Sequence, residues 1–194
     1  MTTSPRPGAA GLYDLLIGPG ATPFEEAGAW ASASVGAIVG GLLPKTARER
    51  AVGAILGFDA GGGIWVNESR AGKRWYRRPE ATTWEPAAFA AAHVHPFVVE
   101  ALSGRRDWAR AAVTWAGPVI GAAVVTIVAR ERGADAARSV AMSLAGAFGG
   151  TNAVLAPPGW RWLPPALAFK LVAGHATPDG PLVALVDRLE GAAT

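Results

Sequence analysis

Two of the three histidines, His93 and His95, stand one residue apart in the Ala-rich run AAHVHPFVVEAL, residues 91–102, which also carries Glu100. A second ionisable group, Asp59, interrupts the apolar block AVGAILGFDAGGGIWV, and His175 and Lys170 lie in a third apolar stretch. Imidazole is the side chain whose ordinary pKa lies nearest neutrality, so a histidine beside a carboxylate is a natural proton-transfer pair. Charged groups in so apolar a setting are costly and usually carry a role. On a regular helix His93 and His95 diverge by about 200° and cannot serve one site. Pro96 offers a way out: it disfavours helical geometry at His95 and clashes with the Ala92 carbonyl, so a local break would turn both rings inward. Without a break, His93 shares its helix face with Glu100.

Two chemistries follow. In the first, Asp59, His93, His95 and Glu100 form an acid-base set suited to isomerisation, cyclisation or hydrolysis of a lipophilic small molecule. In the second, His93, His95 and His175 supply imidazoles to a divalent metal such as zinc, with Asp59 nearby. The His-x-His spacing serves metals best on a strand, and the alanine flanks argue for helix instead. The plainest alternative is structural: a histidine bonds the carbonyl freed by Pro96, Lys170 snorkels, and His175 ends a helix.

Residues 67–85, NESRAGKRWYRRPEATTWE, form a basic aromatic connection. Its aromatic rings and guanidinium groups suit the lipid headgroup level. Asn67, Arg74, Trp75 and Tyr76 are the candidate substrate-binding residues. Asp59 shares a helical face with Gly63, Val66 and, nearly, Asn67 and Arg70, a polar stripe running toward this connection.

The elements that must position these groups are helices. The chain has 194 residues, 51% hydrophobic and 17% charged, with mean hydropathy +0.24; soluble domains carry about 25% charged residues. Apolar blocks at 27–43, 51–66, 86–102, 111–129 and 139–156, and a shorter one from Pro164 to His175, are separated by Arg-rich connections. In the first block Gly28, Ser32, Gly36 and Gly40 recur every fourth residue, which lets a neighbouring backbone approach closely. The glycines of the second weaken it as a helix, so it is expected to be tightly packed or locally unwound. Residues 10–17 read as a short interfacial helix rather than a signal peptide. Leu182, Leu185, Val186 and Leu189 give the C-terminal segment an amphipathic pattern.

These features predict an all-α fold: one membrane domain over residues 1–194, an integral bundle of five or six helices with an amphipathic C-terminal segment. A multi-pass protein of the cell inner membrane follows, with membrane lipid and a lipophilic small molecule as partners. The absence of cysteine excludes disulfides, thiolate nucleophiles and Cys-ligated metals. No P-loop, dinucleotide fingerprint or nucleophile elbow occurs. The formal charge of +3 is spread over the connections rather than one face, so nucleic acid is not an expected partner.

The string FDAGGGIWVNESRAGKRWYRRP followed by HVHPF, residues 58–97, resembles a pattern in small, uncharacterised multi-pass membrane proteins. The resemblance implies that Asp59, Asn67, Arg74, Trp75, Tyr76, His93 and His95 belong to one motif, and it brings no activity or cofactor. An enzyme on a lipophilic substrate is the leading expectation. A small proton, metal or solute transporter and a non-catalytic accessory subunit are the alternatives.

Overall fold

Thr22 and Thr46 open the first long hairpin. Each hydroxyl accepts the N–H of the residue three positions on, Glu25 or Glu49, whose carboxylate accepts the threonine N–H in return. These capping boxes fix where the helices begin. In the computed structural model, which describes residues 4–178 and 183–193, they start α2 (Pro23–Leu42) and α3 (Ala47–Glu68). A short α1 (Ala9–Ile17) precedes them, where the interfacial helix was expected.

α2 and α3 run antiparallel with their backbones touching. A Cβ on Gly36 would sit 2.1 Å from the Gly57 carbonyl oxygen, and one on Gly40 would sit 2.1 Å from that of Gly53. Ser32 Oγ donates to the Gly61 carbonyl at 2.7 Å, and Trp65 Nε1 to that of Glu25 at 3.0 Å. α3 is therefore one unbroken helix. Each glycine costs about 1 kcal/mol of helix propensity, and the close backbone contact it permits offsets that cost. The expectation of packing or unwinding resolves to packing.

Ser69 ends α3 and caps α4 (Arg70–Tyr76), its Oγ accepting the Gly72 N–H at 3.0 Å. The start of the basic connection is thus helical, not the loop its charge suggested. The histidine block divides into α5 (Glu85–Ala91) and α6 (His95–Ser103), with His95 and Pro96 in the first turn of α6. α7 (Trp108–Arg132) and α8 (Ala134–Leu155) pack together and are joined at Gly133, whose φ of 84° favours glycine. α9 (Leu163–Ala168) starts at its proline pair and widens into a π-helical segment, Phe169–His175. That widening departs from the regular sixth helix expected from the sequence. α10 (Val183–Ala193) leaves Leu185 and Leu189 exposed; Leu182, part of the anticipated amphipathic face, lies outside the described residues.

The core sits around the π-helical segment. Leu167, Leu171, Val172 and Ala173 are buried with Ala122 and Val125 of α7 and Ala141 and Ala145 of α8. The described residues contain no strand, and the fold is all-α. Among them only α7 is long and apolar enough to cross a membrane; its 25 residues extend about 37 Å. α2, α3 and α8 have the length, but Gly, Ser and charged residues lower their hydropathy. The anticipated five or six crossings are therefore matched on composition by one.

Candidate functional site

Lys170 is the centre of the polar cluster. The π-helical segment carries it against the middle of α3, where its side chain is only 2% exposed. Gly63 makes the room: a Cβ there would lie 2.2 Å from Lys170 Cε. The Lys170 ammonium donates to Asp59 Oδ2 at 2.6 Å, a short charge-assisted bond. It also approaches His93 Nε2 at 3.0 Å. π-Helical turns are rare and recur at functional positions.

The break at residues 92–94 does what Pro96 allowed. The rings of His93 and His95 stack 5.2 Å apart at 20°, on the same side of the fold. His93 Nδ1 lies 2.7 Å from the Phe89 carbonyl oxygen. That oxygen is only an acceptor, so Nδ1 carries the hydrogen and donates, leaving the Nε2 lone pair to receive a bond from Lys170. His95 Nε2 lies 3.3 Å from Asp59 Oδ2, and its buried Nδ1 has no hydrogen-bond partner among the described residues.

Asp59 therefore gathers three basic groups on one oxygen, with His93 Nε2 at 3.8 Å beyond hydrogen-bond reach. Its side chain is 44% exposed and lines a cavity of about 560 Å³ bounded by α1, α2 and α3. The cavity walls are Leu15, Leu16, Ile17, Trp30, Ala33 and Phe58, and its polar end holds Asp59, His93 and Lys170. Trp30 packs edge-on against Phe58 at 5.8 Å and donates from Nε1 to the Tyr13 hydroxyl at 3.3 Å. An apolar chamber ending on a few convergent polar groups is the usual form of a small-molecule site.

Asn67, from the polar stripe, and Tyr76, from the basic connection, line the same cavity; Arg70, at the end of the stripe, does not. Asn67 also braces the π-helical segment, donating from Nδ2 to the Lys170 carbonyl at 2.8 Å while its Oδ1 lies 3.3 Å from His175 Nδ1. Lys73 donates to the carbonyls of Gly174 and Thr177 at 2.6 and 2.9 Å, and Arg77 to that of His175 at 3.1 Å. Cationic side chains suit the carbonyl end of a helix, and these two lock the segment that carries Lys170.

α1 closes one wall and is held by Arg6, whose backbone N–H and guanidinium bond the Asp14 carboxylate at 2.6 to 3.2 Å. The Arg6 bonds hold the Asp14 carboxyl below the usual carboxylate range.

Three sequence expectations need correction. Glu100 does not join the cluster: its fully buried carboxylate pairs with Arg110 and accepts the Asp107 N–H at 3.0 Å, tying α6 to the start of α7. His175 does not complete a metal set with His93 and His95, because the Phe89 ring stands between them, 4.2 Å from His175 and 4.7 Å from His93. Among the described residues no three His, Asp or Glu side chains are placed to hold a metal ion, and the Lys170 ammonium faces His93 where a cation would sit. Arg74 and Trp75 lie away from the cavity: Arg74 donates to the Gly20 carbonyl at 3.3 Å, and Trp75 lies under the Arg78 guanidinium at 4.5 Å.

Sequence reasoning missed the parts played by Lys170 and Phe89. Lys170 is the one charged residue between Leu163 and Gly174, and that isolation was the available signal. In comparisons with known proteins, no family model, no curated protein and no solved structure matches this chain.

Proposed function

We propose that this chain is a membrane-embedded enzyme that admits a lipophilic molecule to the α1–α2–α3 cavity and transfers a proton to or from it at Asp59. The observation that carries the reading is the apolar chamber ending on the Asp59–Lys170–His93–His95 cluster. Asp59 Oδ1 makes no hydrogen bond among the described residues, so it is available to take a proton from a bound ligand. The Lys170 ammonium, held 2.6 Å from Oδ2, stabilises negative charge that develops beside it. His93 and His95 position these groups and give the proton a route away. In an isomerisation or cyclisation the abstracted proton exchanges with solvent along this route and a solvent-derived proton is delivered to a second atom of the molecule; a hydrolysis adds water across the bond that breaks.

The membrane setting is supported by an inverted distribution of polarity. Val35, Ile38 and Leu42 of α2, Ile55 of α3, Val113, Ile120 and Ile127 of α7 and Val154 of α8 are exposed, whereas Asn67, Glu68, Glu100, Lys170 and His175 are buried. Water-soluble domains rarely bury such groups while exposing long aliphatic rows. Lipid accepts both, with small residues between helices and ionisable groups facing the bundle interior. On this reading α2, α3, the α5–α6 pair, α7, α8 and α9 with its π-helical extension form the bundle.

The test is isotope transfer from solvent. Detergent-purified protein is incubated with a total lipid extract in heavy water or in water enriched in heavy oxygen, and the lipids are analysed by mass spectrometry. Isomerisation or cyclisation leaves deuterium on carbon, and hydrolysis leaves heavy oxygen in the product. Label in a lipid species with the wild type and not with Asp59→Asn is expected; equal labelling with both proteins, or none with either, removes the proposal.

A further inference from the structure

A second cavity of about 580 Å³, which shares Tyr76 with the first, lies between α4, the connection that follows it and the C-terminal end of α7. We propose that it is a binding site for a phosphate-bearing anion, a phosphomonoester or diphosphate. Lys73, Arg74, Arg77, Arg78 and Arg130 line it with the hydroxyl-bearing Thr82, and no carboxylate lines it among the described residues.

Lys73, Arg74, Arg77 and Arg78 come from α4 and the two residues that follow it, and Arg130 comes from the end of α7. Arg78 is paired with Glu85 at 3.0 Å. Arg74 and Arg130 bond neutral acceptors, the Gly20 carbonyl and the Thr83 hydroxyl, which leave a full positive charge on each. Lys73 and Arg77 are fixed from behind by their bonds to the carbonyl end of the π-helical segment. Like charges crowded on one cleft repel, and a multiply charged oxyanion relieves that repulsion. Guanidinium forks match phosphate oxygens in geometry as well as charge. The volume exceeds what a bare phosphate ion needs, which favours a phosphate carried on a larger headgroup.

Binding can be read independently of any reaction. Detergent-purified protein is titrated calorimetrically with short-chain phosphatidic acid, short-chain phosphatidylcholine and inorganic pyrophosphate, at low and high salt. Binding of phosphatidic acid over phosphatidylcholine is expected, weakening with salt. Removing a charged hydrogen-bond donor weakens such binding about 10-fold. Arg74→Gln, an exposed position, should show that loss, and the Arg74→Gln/Arg130→Gln pair should lose about 100-fold. Competition by pyrophosphate identifies a site for the phosphate group itself; phosphatidic acid binding without such competition identifies a lipid headgroup site, and both uphold the proposal. Phosphatidic acid and pyrophosphate binding no better than phosphatidylcholine overturns it, as does equal binding by folded variants. The isotope experiment at Asp59 can fail without affecting this result, and the reverse also holds.

Discussion

Replacing Gly63 by alanine tests whether Lys170 is held in the interior. Alanine at a helical glycine ordinarily stabilises by about 1 kcal/mol. Here the new Cβ would lie 2.2 Å from Lys170 Cε, 2.8 Å from Nζ and 2.9 Å from Cδ. A lysine side chain can swing away, so the cost is set by the bonds it gives up rather than by the clash. Those are the 2.6 Å bond to Asp59 and the 3.0 Å contact with His93. A charged hydrogen bond contributes about 1.5 to 3 kcal/mol, and the half-exposed Asp59 can recover part of its loss from solvent or ligand. Setting about 3 kcal/mol of lost bonding against the gain in propensity leaves a net destabilisation of about 2 kcal/mol. Gly62→Ala is the control: the atom nearest its Cβ would be Ala33 Cβ at 3.1 Å, a tight contact that asks a few tenths of an ångström of its neighbour but breaks no polar bond. Reversible unfolding in mixed detergent micelles, followed by circular dichroism, gives both values. A double-mutant cycle with Lys170→Met completes the argument, because in that background Gly63→Ala should return to neutral or stabilising. If Gly63→Ala stabilises the wild type as much as Gly62→Ala does, Lys170 does not occupy the space beside Gly63 and the cluster is wrongly assembled.

Other predictions follow from the same geometry. Gly57→Ala places a Cβ 2.0 Å from the Gly36 carbonyl oxygen, with backbone on both sides and nothing flexible to yield; it should destabilise by about 3 kcal/mol or prevent folding, whereas Gly146→Ala, which meets nothing within 4 Å, should be tolerated in the same unfolding assay. Glu100→Gln strips the charge partner from Arg110 inside the fold and should cost about 3 kcal/mol, while isotope transfer per folded molecule stays at the wild-type rate because Glu100 lies outside the cavity lining. The Asp14 carboxyl is held below its ordinary value in the folded chain, so its grip on Arg6 is complete above the unfolded pKa, about 3.9, and is lost as pH falls through the lower folded value. The chain has no cysteine, so a spin label on Leu12→Cys, an exposed α1 position, reports on that helix alone. Its mobility should rise on acidification below about pH 4 and should already be high at neutral pH in Asp14→Asn; a label that stays immobile in both cases would show that α1 does not depend on this pair.

By itself the sequence determined that the chain is helical, where its long helices run and one of their contacts. Blocks of apolar residues bounded by prolines and arginine clusters are local signals; the capping boxes at Thr22 and Thr46 are local too, and they start α2 and α3 four residues before the apolar blocks begin. The four-residue spacing from Gly28 to Gly40 announced a close backbone neighbour, since a run of small residues has few other uses in an apolar helix. Pro96 likewise announced a break that frees both imidazoles, because its effect acts on the adjoining turn. The tertiary structure decided which polar groups meet. Lys170 reaches Asp59 across 111 positions of chain, and its direction depends on a π-helical turn that neither hydrophobic periodicity nor helix propensity encodes. Glu100 looked like a partner for His93 on helical spacing, yet the break at residues 92–94 removed that shared face and left the carboxylate to Arg110. Phe89 reads as an ordinary apolar residue and becomes the wall between His93 and His175 only when α5 packs against the π-helical segment. Local patterns fix what each helix is and which face it buries. The partners of a buried charge are fixed by which helices pack together, and that depends on the whole chain.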